Sequence, residues 1–348
     1  MSNVRLALKV FSVLINLMWA MVLNEIGPVE KEPLKLTEIP IPEPDSGEIR
    51  VKVLACGVCH TDIHIVEGDI KPPALPLILG HQIVGVVEKT GPGVEEPLPG
   101  KVVGVPWLGA VCGRCRYCER GMENLCSDVR FTGFHYQGGY AEYTIVKTGF
   151  CYPLPEEISP VSLAPLLCAG VIGYRSLKRA EIKPGDSVGL YGFGASAHIC
   201  LQILKHWGCR VAVFTRTSAH QTHARELGAG WVGTAQEKPP FRLDAGVIFA
   251  PAGELVPLAL AHLDKGGTIA LAGIHMSPIP GFNYRLIYEE RTVRSVANST
   301  RDDVREFLCL AREISIRTTV TNMPLNQANE ALIRVKHSQI NGAVVLVV

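Results

Sequence analysis

Four cysteines lie within fifteen residues, as Cys112-x2-Cys115-x2-Cys118-x7-Cys126, with turn-forming glycines and charged residues between them. Four thiolates so close can surround a zinc ion tetrahedrally. An iron–sulfur cluster is the competing product of such spacing. A zinc site closed by four thiolates has no open coordination position, so its role would be structural. A second set is dispersed: Cys59 and Asp62 in "GVCHTD", His81 in "LGHQ" and Cys168 in "LLCAG". Two cysteines and a histidine leave a fourth position open, the pattern of a catalytic zinc. Spacing alone does not join these three, and each by itself reads equally well as a core residue.

A third set could hold a dinucleotide. Gly192-x-Gly194-x-x-Ala197, with Ala195 and Ser196 between, follows an apolar run and opens a helical pattern. Such a turn lets a pyrophosphate approach the backbone at a helix N-terminus. A tight turn without nucleotide is the alternative. Where an acidic residue would grip the ribose of NAD, the chain reads Phe214-Thr215-Arg216. A hydroxyl and a guanidinium suit a 2′-phosphate, which favours NADP(H) over NAD(H). Otherwise Arg216 is a solvated loop charge.

These side chains need elements to position them. From Ala20 to Gly149 the pattern is β-rich: "IRVKVLACGVC" alternates and then turns continuously apolar, and "PDSGE", "GDIKPP" and "GPGVEEPLPG" break the strands. After Pro165 the strands "DSVGLYGFG", "CRVAVFT", "LDAGVIFA", "GTIALAGI" and "TVRSVAN" are separated by the helical stretches "ASAHICLQILKHWG", "SAHQTHARELGAG" and "GELVPLALAHLDKGG". That alternation predicts a parallel sheet with helices on both faces. Helices are expected over Asp302–Ile314 and from about Gln327 to His337, the latter capped by Asn326, before a closing strand "AVVLVV". The expected architecture is α/β: an irregular β-rich domain of residues 1–167 and 303–348, and a doubly wound domain of residues 168–302.

The chain has 348 residues and a formal charge of +1, with scattered Lys and Arg. Nothing there calls for a nucleic-acid or membrane partner, so a small molecule is expected. Eleven cysteines, clustered rather than spread as a disulfide framework, point to a reducing, cytoplasmic setting. Cys56, Cys151, Cys200, Cys209 and Cys309 read as small core residues. Val10 to Leu23 is apolar behind Arg5 and Lys9, like a secretory leader. It is short for a membrane span and lacks a small-x-small cleavage pattern, so Met18 or Met21 is the expected functional start.

In order and separation, "CGVCHTD", "LGHQIVGVV", "CGRCRYC", "LLCAGVIGYRSL" and "YGFGASA" resemble the zinc-containing alcohol dehydrogenases of the medium-chain dehydrogenase/reductase superfamily, from about Ala20 to the C-terminus. The resemblance implies a GroES-like catalytic domain beside a Rossmann cofactor domain. It implies one catalytic zinc per chain on Cys59, His81 and Cys168, and one structural zinc on Cys112, Cys115, Cys118 and Cys126. It gives Thr61 a hydrogen bond to the substrate hydroxyl, His64 the downstream proton, and Asp62 a place beside the metal. His60 would lie near the pyrophosphate, Ile172 against the nicotinamide, and Trp107 in the substrate-pocket wall, favouring small or unbranched substrates. The implied reaction is reversible hydride transfer between NAD(P) and small, mainly primary alcohols and the matching aldehydes or ketones. A homo-oligomer is implied, a tetramer before a dimer. The family usually has Glu after the zinc-binding histidine, whereas this chain has Gln82, which removes a negative neighbour from the metal. The alternatives are a reductase for bulkier aldehydes or polyols, a non-catalytic NADP(H)-binding protein, and a zinc store.

Overall fold

The computed structural model describes residues 16–348, so Arg5, Lys9 and the start of the leader-like stretch lie outside the described residues. β1 (Leu17–Leu23) and β2 (Leu34–Pro40) form an antiparallel pair, and Met18 and Met21 both lie within β1. β3 (Glu48–Val58) is the predicted alternating run. α1 (His60–Glu67), β4 (Leu77–Ile78), β5 (Ile83–Thr90), β6 (Val102–Val105), β7 (Leu108–Ala110), β8 (Arg130–Phe131), β9 (Tyr143–Lys147) and β10 (Tyr152–Pro153) complete the β-rich part. α2 (Pro160–Leu163) and α3 (Ala169–Arg179) lead out of it. Pro160–Arg179 has the length and composition of a membrane span, but it is broken into short helices and is mostly buried in the core.

The alternating part gives β11 (Ser187–Tyr191), α4 (Ala195–His206), β12 (Arg210–Phe214), α5 (Ser218–Glu226), β13 (Trp231–Gly233), β14 (Leu243–Ile248), α6 (Leu255–His262), β15 (Leu263–Leu271) and β16 (Thr292–Ser295). Its six strands run in the order β13-β12-β11-β14-β15-β16, every neighbouring pair parallel. The winding reverses between β11 and β14, and ligands of such sheets bind beyond the strand C-termini at that reversal. α7 (Arg301–Glu313) follows. β17 (Val320–Pro324), α8 (Ala328–Lys336) and β18 (Ala343–Val347) then return to the first part. There β18 lies between β3 and β17 in a seven-stranded sheet.

Some expected elements differ. The helix read from "GELVPLALAHLDKGG" stops at His262, because Leu263 is extended and pairs with Leu243 as the start of β15. β13 was not anticipated; it is only three residues long. α1 and α3, the helices that begin beside Cys59 and Cys168, were not anticipated either. Asn326 does not cap: it sits inside a 3-10 turn running straight into α8, whose N-cap Gln327 makes no side-chain bond. Cys56 and Cys200 are core residues and Cys151 and Cys209 are half-buried. Cys309 corrects the expectation, for it faces solvent on α7 while Val304, Phe307 and Ala311 point inward. The two parts share a core: Ala55, Val84 and Val345 of the β-rich sheet join one apolar cluster with Val188, Leu190 and Ile199.

Candidate functional site

β3 ends at Val58 and delivers Cys59 as the N-cap of α1. The Thr61 N–H donates to Cys59 Sγ at 3.5 Å and the Cys59 N–H donates to Asp62 Oδ2 at 2.9 Å, a reciprocal cap. A sulfur at a helix N-terminus is favoured as thiolate. Asp62 is fully buried and takes three further contacts. Tyr140 Oη donates to Oδ2 at 3.1 Å, the Gly80 N–H donates to Oδ1 at 3.3 Å, and His81 Nδ1 lies 3.3 Å from Oδ1. Gly80 turns the chain with φ +95°, and a Cβ there would enter the Tyr140 ring and Cys56. That turn sets His81. Cys168 closes the 3-10 turn Ala164–Leu167 and starts α3, which brings its Sγ to 4.0 Å from that of Cys59.

The ligand atoms of Cys59, His81 and Cys168 all lie within 4.8 Å of one another. The hydrogen bond from Cys168, and secondarily His81, holds the Cys59 thiol well below its usual range despite burial. The same contact, with burial, pushes Cys168 up. Burial opposes charge on His81, but Asp62 outweighs it and carries the imidazole up to about 10. Neither ring nitrogen of this buried histidine has a partner in hydrogen-bond geometry. Two soft sulfurs, one imidazole and an orphaned buried nitrogen fit a zinc ion, which would take the place of those protons.

The neighbouring residues fall around this centre. The Thr61 hydroxyl is 3.6 Å from Cys59 Sγ. His64, one turn further along α1, holds Asp69 Oδ2 at 2.8 Å through Nδ1. Its ring is 5.1 Å from that of His275, which arrives from the segment after β15. His60 is exposed at the start of α1. Gln82 is buried against Gly57, where a Cβ would fall 2.7 Å from Oε1. Trp107 packs edge-on to His81 at 4.8 Å and stacks on Phe131 at 4.7 Å, with Phe134 at 5.9 Å. His275, Phe131 and Phe134 carry no motif, and only a position beyond the end of a parallel strand could have flagged His275.

The second cysteine set also converges. Cys112, Cys115, Cys118 and Cys126 place their sulfurs within 4.8 Å of one another, with Cys126–Cys112 at 3.5 Å and Cys115–Cys118 at 3.6 Å. The N–H groups of Cys112 and Asp128 both donate to Cys126 Sγ at 3.4 Å. Sulfurs so arranged and so solvated by backbone fit a closed four-thiolate zinc site.

At the reversal of the parallel sheet, Gly192 takes φ +92°, and a Cβ there would lie 3.1 Å from the Ala250 nitrogen. Gly194 caps α4 with no side-chain bond, and nothing lies within 4 Å of where its Cβ would be. The first turn of α4, Ala195 and Ser196, is only partly covered, while Ala197 is fully buried against the sheet. This is an open helix N-terminus able to receive a pyrophosphate. Thr215 is buried at the end of β12, and Arg216 beyond it is exposed with no acidic partner among the described residues. Ile172 is half-buried on α3, its N–H donating to the Cys168 carbonyl at 2.8 Å, so an apolar wall adjoins a metal-ligand candidate.

Comparison with known proteins agrees with this geometry. The family profile for an alcohol dehydrogenase GroES-like domain matches residues 45–156, and that for a zinc-binding dehydrogenase matches residues 197–313. A "probable alcohol dehydrogenase" of Mycobacterium tuberculosis is 44% identical over 328 residues, covering 92% of this chain and 95% of its own. An alcohol dehydrogenase of Geobacillus stearothermophilus is 34% identical over 339 residues, covering 94% and 98%. The solved structure of a cobalt- and zinc-bound thermostable alcohol dehydrogenase from Pyrobaculum aerophilum superimposes with a TM-score of 0.87 at 27% identity, covering 96% and 100%. With two family profiles matched and relatives aligned nearly end to end, the chain belongs to the zinc-containing alcohol dehydrogenases of the medium-chain dehydrogenase/reductase superfamily.

Proposed function

We propose that this alcohol dehydrogenase oxidises small, mainly primary alcohols and reduces the matching aldehydes or ketones, using NADP(H) in preference to NAD(H). The convergence of Cys59, His81 and Cys168, with Ile172 one helical turn on from Cys168, carries this reading. In it, residues 1–167 and 303–348 hold a structural zinc ion on Cys112, Cys115, Cys118 and Cys126, residues 168–302 hold the dinucleotide, and the catalytic zinc ion sits where the two parts meet, on Cys59 and His81 of the first and Cys168 at the start of the second. When bound, the catalytic zinc supplies a Lewis acid for the substrate oxygen and the nicotinamide supplies a hydride carrier.

The protein's own groups do the rest. Asp62, buried with Oδ1 3.3 Å from His81 Nδ1, holds a negative charge against that ring and so helps to orient it beside the metal. Thr61 Oγ1 takes the substrate hydroxyl proton while giving up its own. His64, its Nδ1 engaged by Asp69, keeps the other ring nitrogen for a proton leaving towards solvent. Trp107, backed by Phe131, is a flat rigid wall against His81 that limits substrate width. Ile172 keeps water from the hydride path. Thr215 and the unpaired Arg216 support a 2′-phosphate. Exposed Ile274, Ile279, Tyr284 and Tyr288, near the edge strand β16, support self-association. Eleven free cysteines support a reducing, cytoplasmic setting.

The test is initial rates of the zinc-loaded protein with NADP+ and NAD+ across primary and secondary alcohols. Faster turnover with NADP+ and unbranched primary alcohols, lost on zinc removal or in Cys59→Ser, is the expected result. Two zinc ions per chain and tight NADPH binding without turnover on any alcohol would replace it with a non-catalytic reading.

A further inference from the structure

Glu123 has no part in the chemistry above, yet it is a nearly buried carboxylate with an unusual number of bonds. It sits in the 3-10 turn Glu123–Leu125 that ends on Cys126, so it is part of the four-cysteine lobe. Both of its oxygens are taken by Arg301, the first residue of α7. The Arg301 N–H donates to Oε1 at 2.7 Å, Nη2 donates to Oε2 at 2.7 Å, and Nε bridges the two at 3.1 and 3.0 Å. Phe150 lies under the guanidinium at 4.9 Å. Next to Glu123, Asn124 Nδ2 donates to the Ala297 carbonyl at 2.7 Å, in the segment joining β16 to α7.

The contacts continue from α7 into α3. Asp303, in the first turn of α7, is buried and reciprocally capped with Thr300 at 2.8–3.2 Å. It also binds Arg175, and Lys178 at 3.1 Å, both on α3. Phe307 of α7 packs so tightly on Gly170 that a Cβ at Gly170 would enter its ring. Gly170 is two residues from Cys168 and two from Ile172. The N-terminal end of α3 therefore has its position set from α7, and α7 has its N-terminus held by the cysteine lobe.

We infer that Glu123 is a positioning residue: through Arg301, α7 and α3 it sets Cys168 and Ile172 from the four-cysteine lobe. The lobe is then a strut of the reaction site as well as a local clip, and the two cysteine sets are mechanically joined. This rests on the reading above, in which Cys168 binds metal and Ile172 faces the nicotinamide. The carboxylate of this pair is buried and the guanidinium partly so, and loss of the Arg301 partner would leave a buried charge uncompensated, which ties the two elements together. A shared path is demonstrated only by energetic coupling.

The experiment compares wild type, Glu123→Gln, Arg301→Lys, Asp303→Asn and the Glu123→Gln/Asp303→Asn double variant, all fully metal-loaded. It measures NADPH and NADH affinity by nicotinamide fluorescence, and the visible spectrum after cobalt is placed at the catalytic position. Glu123→Gln should keep both metals yet weaken dinucleotide binding about fivefold or more, with an altered cobalt spectrum. The double variant should lose less than the two single losses combined. Arg301→Lys should repeat the effect, which covers the case of a poorly folding Glu123→Gln. Unchanged affinity and spectrum in both, or strict additivity in the cycle, overturns the coupling and leaves the dehydrogenase reading standing. A wild type that binds neither dinucleotide overturns both.

Discussion

Arg216 stands just past β12 and the buried Thr215, exposed and with no acidic partner among the described residues. Charge-assisted bonds to phosphate are the strong ones. We expect Arg216→Asp to lower the NADP+/NAD+ ratio of kcat/KM by about tenfold or more, and kinetics with both cofactors check it; an unchanged ratio would make Arg216 a bystander. At this scale much of the site was legible in the sequence. The four-cysteine lobe is local, so spacing alone brings its sulfurs together. Cys59, His81 and Cys168 are separated by strands and turns, and only the family order of their motifs joined them before the fold did. Phe131 and Phe134 could not be read at all, and His275 only by its place beyond a parallel strand, because side chains that merely face a site leave no periodic trace.

Elements that alternate apolar strands with amphipathic helices were readable, which is why β11, α4, β12 and α5 stand where the pattern puts them. The two helices that matter most to the chemistry were not. α1 has only eight residues, and α3 starts inside an apolar run whose periodicity is hidden by the 3-10 turn before it. The approach to His81 is equally invisible in one dimension. Gly138 donates its N–H to the Ile78 carbonyl at 2.8 Å and Gly139 donates to that of Gly80 at 2.9 Å. A Cβ at Gly138 would meet the carbonyl oxygens of Leu79 and Gly80 well inside van der Waals contact. Gly138→Ala must push that backbone away, which should cost about 1–3 kcal/mol of stability and displace His81. Thermal unfolding and zinc content of the purified variant read the two effects; a full catalytic zinc complement with an unchanged Tm would show that the loop absorbs the methyl.

Across the whole molecule, the junction between the two parts contains a neutral histidine. His198 is fully buried on α4, its Nε2 accepting the Thr319 N–H at 3.3 Å and its Nδ1 3.4 Å from the Gly194 carbonyl. Burial lowers its pKa to about 4. In the unfolded chain an imidazole gains its proton near pH 6.5, so between these values the unfolded state binds more protons. The contribution of His198 is therefore complete above about pH 6.5 and declines as pH falls towards 4, by on the order of 3 kcal/mol in all. Urea unfolding at pH 7.5 and pH 5 should show a smaller loss for His198→Asn than for wild type. Equal losses would place the acid sensitivity elsewhere. The sequence predicted that the closing segment returns to the first part, but not that it does so through a buried imidazole touching the dinucleotide turn.

That return has a consequence for how the two proposed metal sites would fill. Val58, which precedes Cys59, pairs with Val344 of β18, so the sheet that presents the Cys59 thiol is unfinished until the whole parallel sheet has left the ribosome. Long-range pairing of this kind forms late, whereas domains and local loops fold as they emerge. The cysteine lobe, whose ligands span Cys112 to Cys126, can take its ion during elongation. Cys59, His81 and Cys168 meet only afterwards. In the proposed two-zinc reading, metallation is thus ordered in time by topology, and a nascent chain starved of zinc at the right moment would carry a filled lobe and an empty Cys59–His81–Cys168 set.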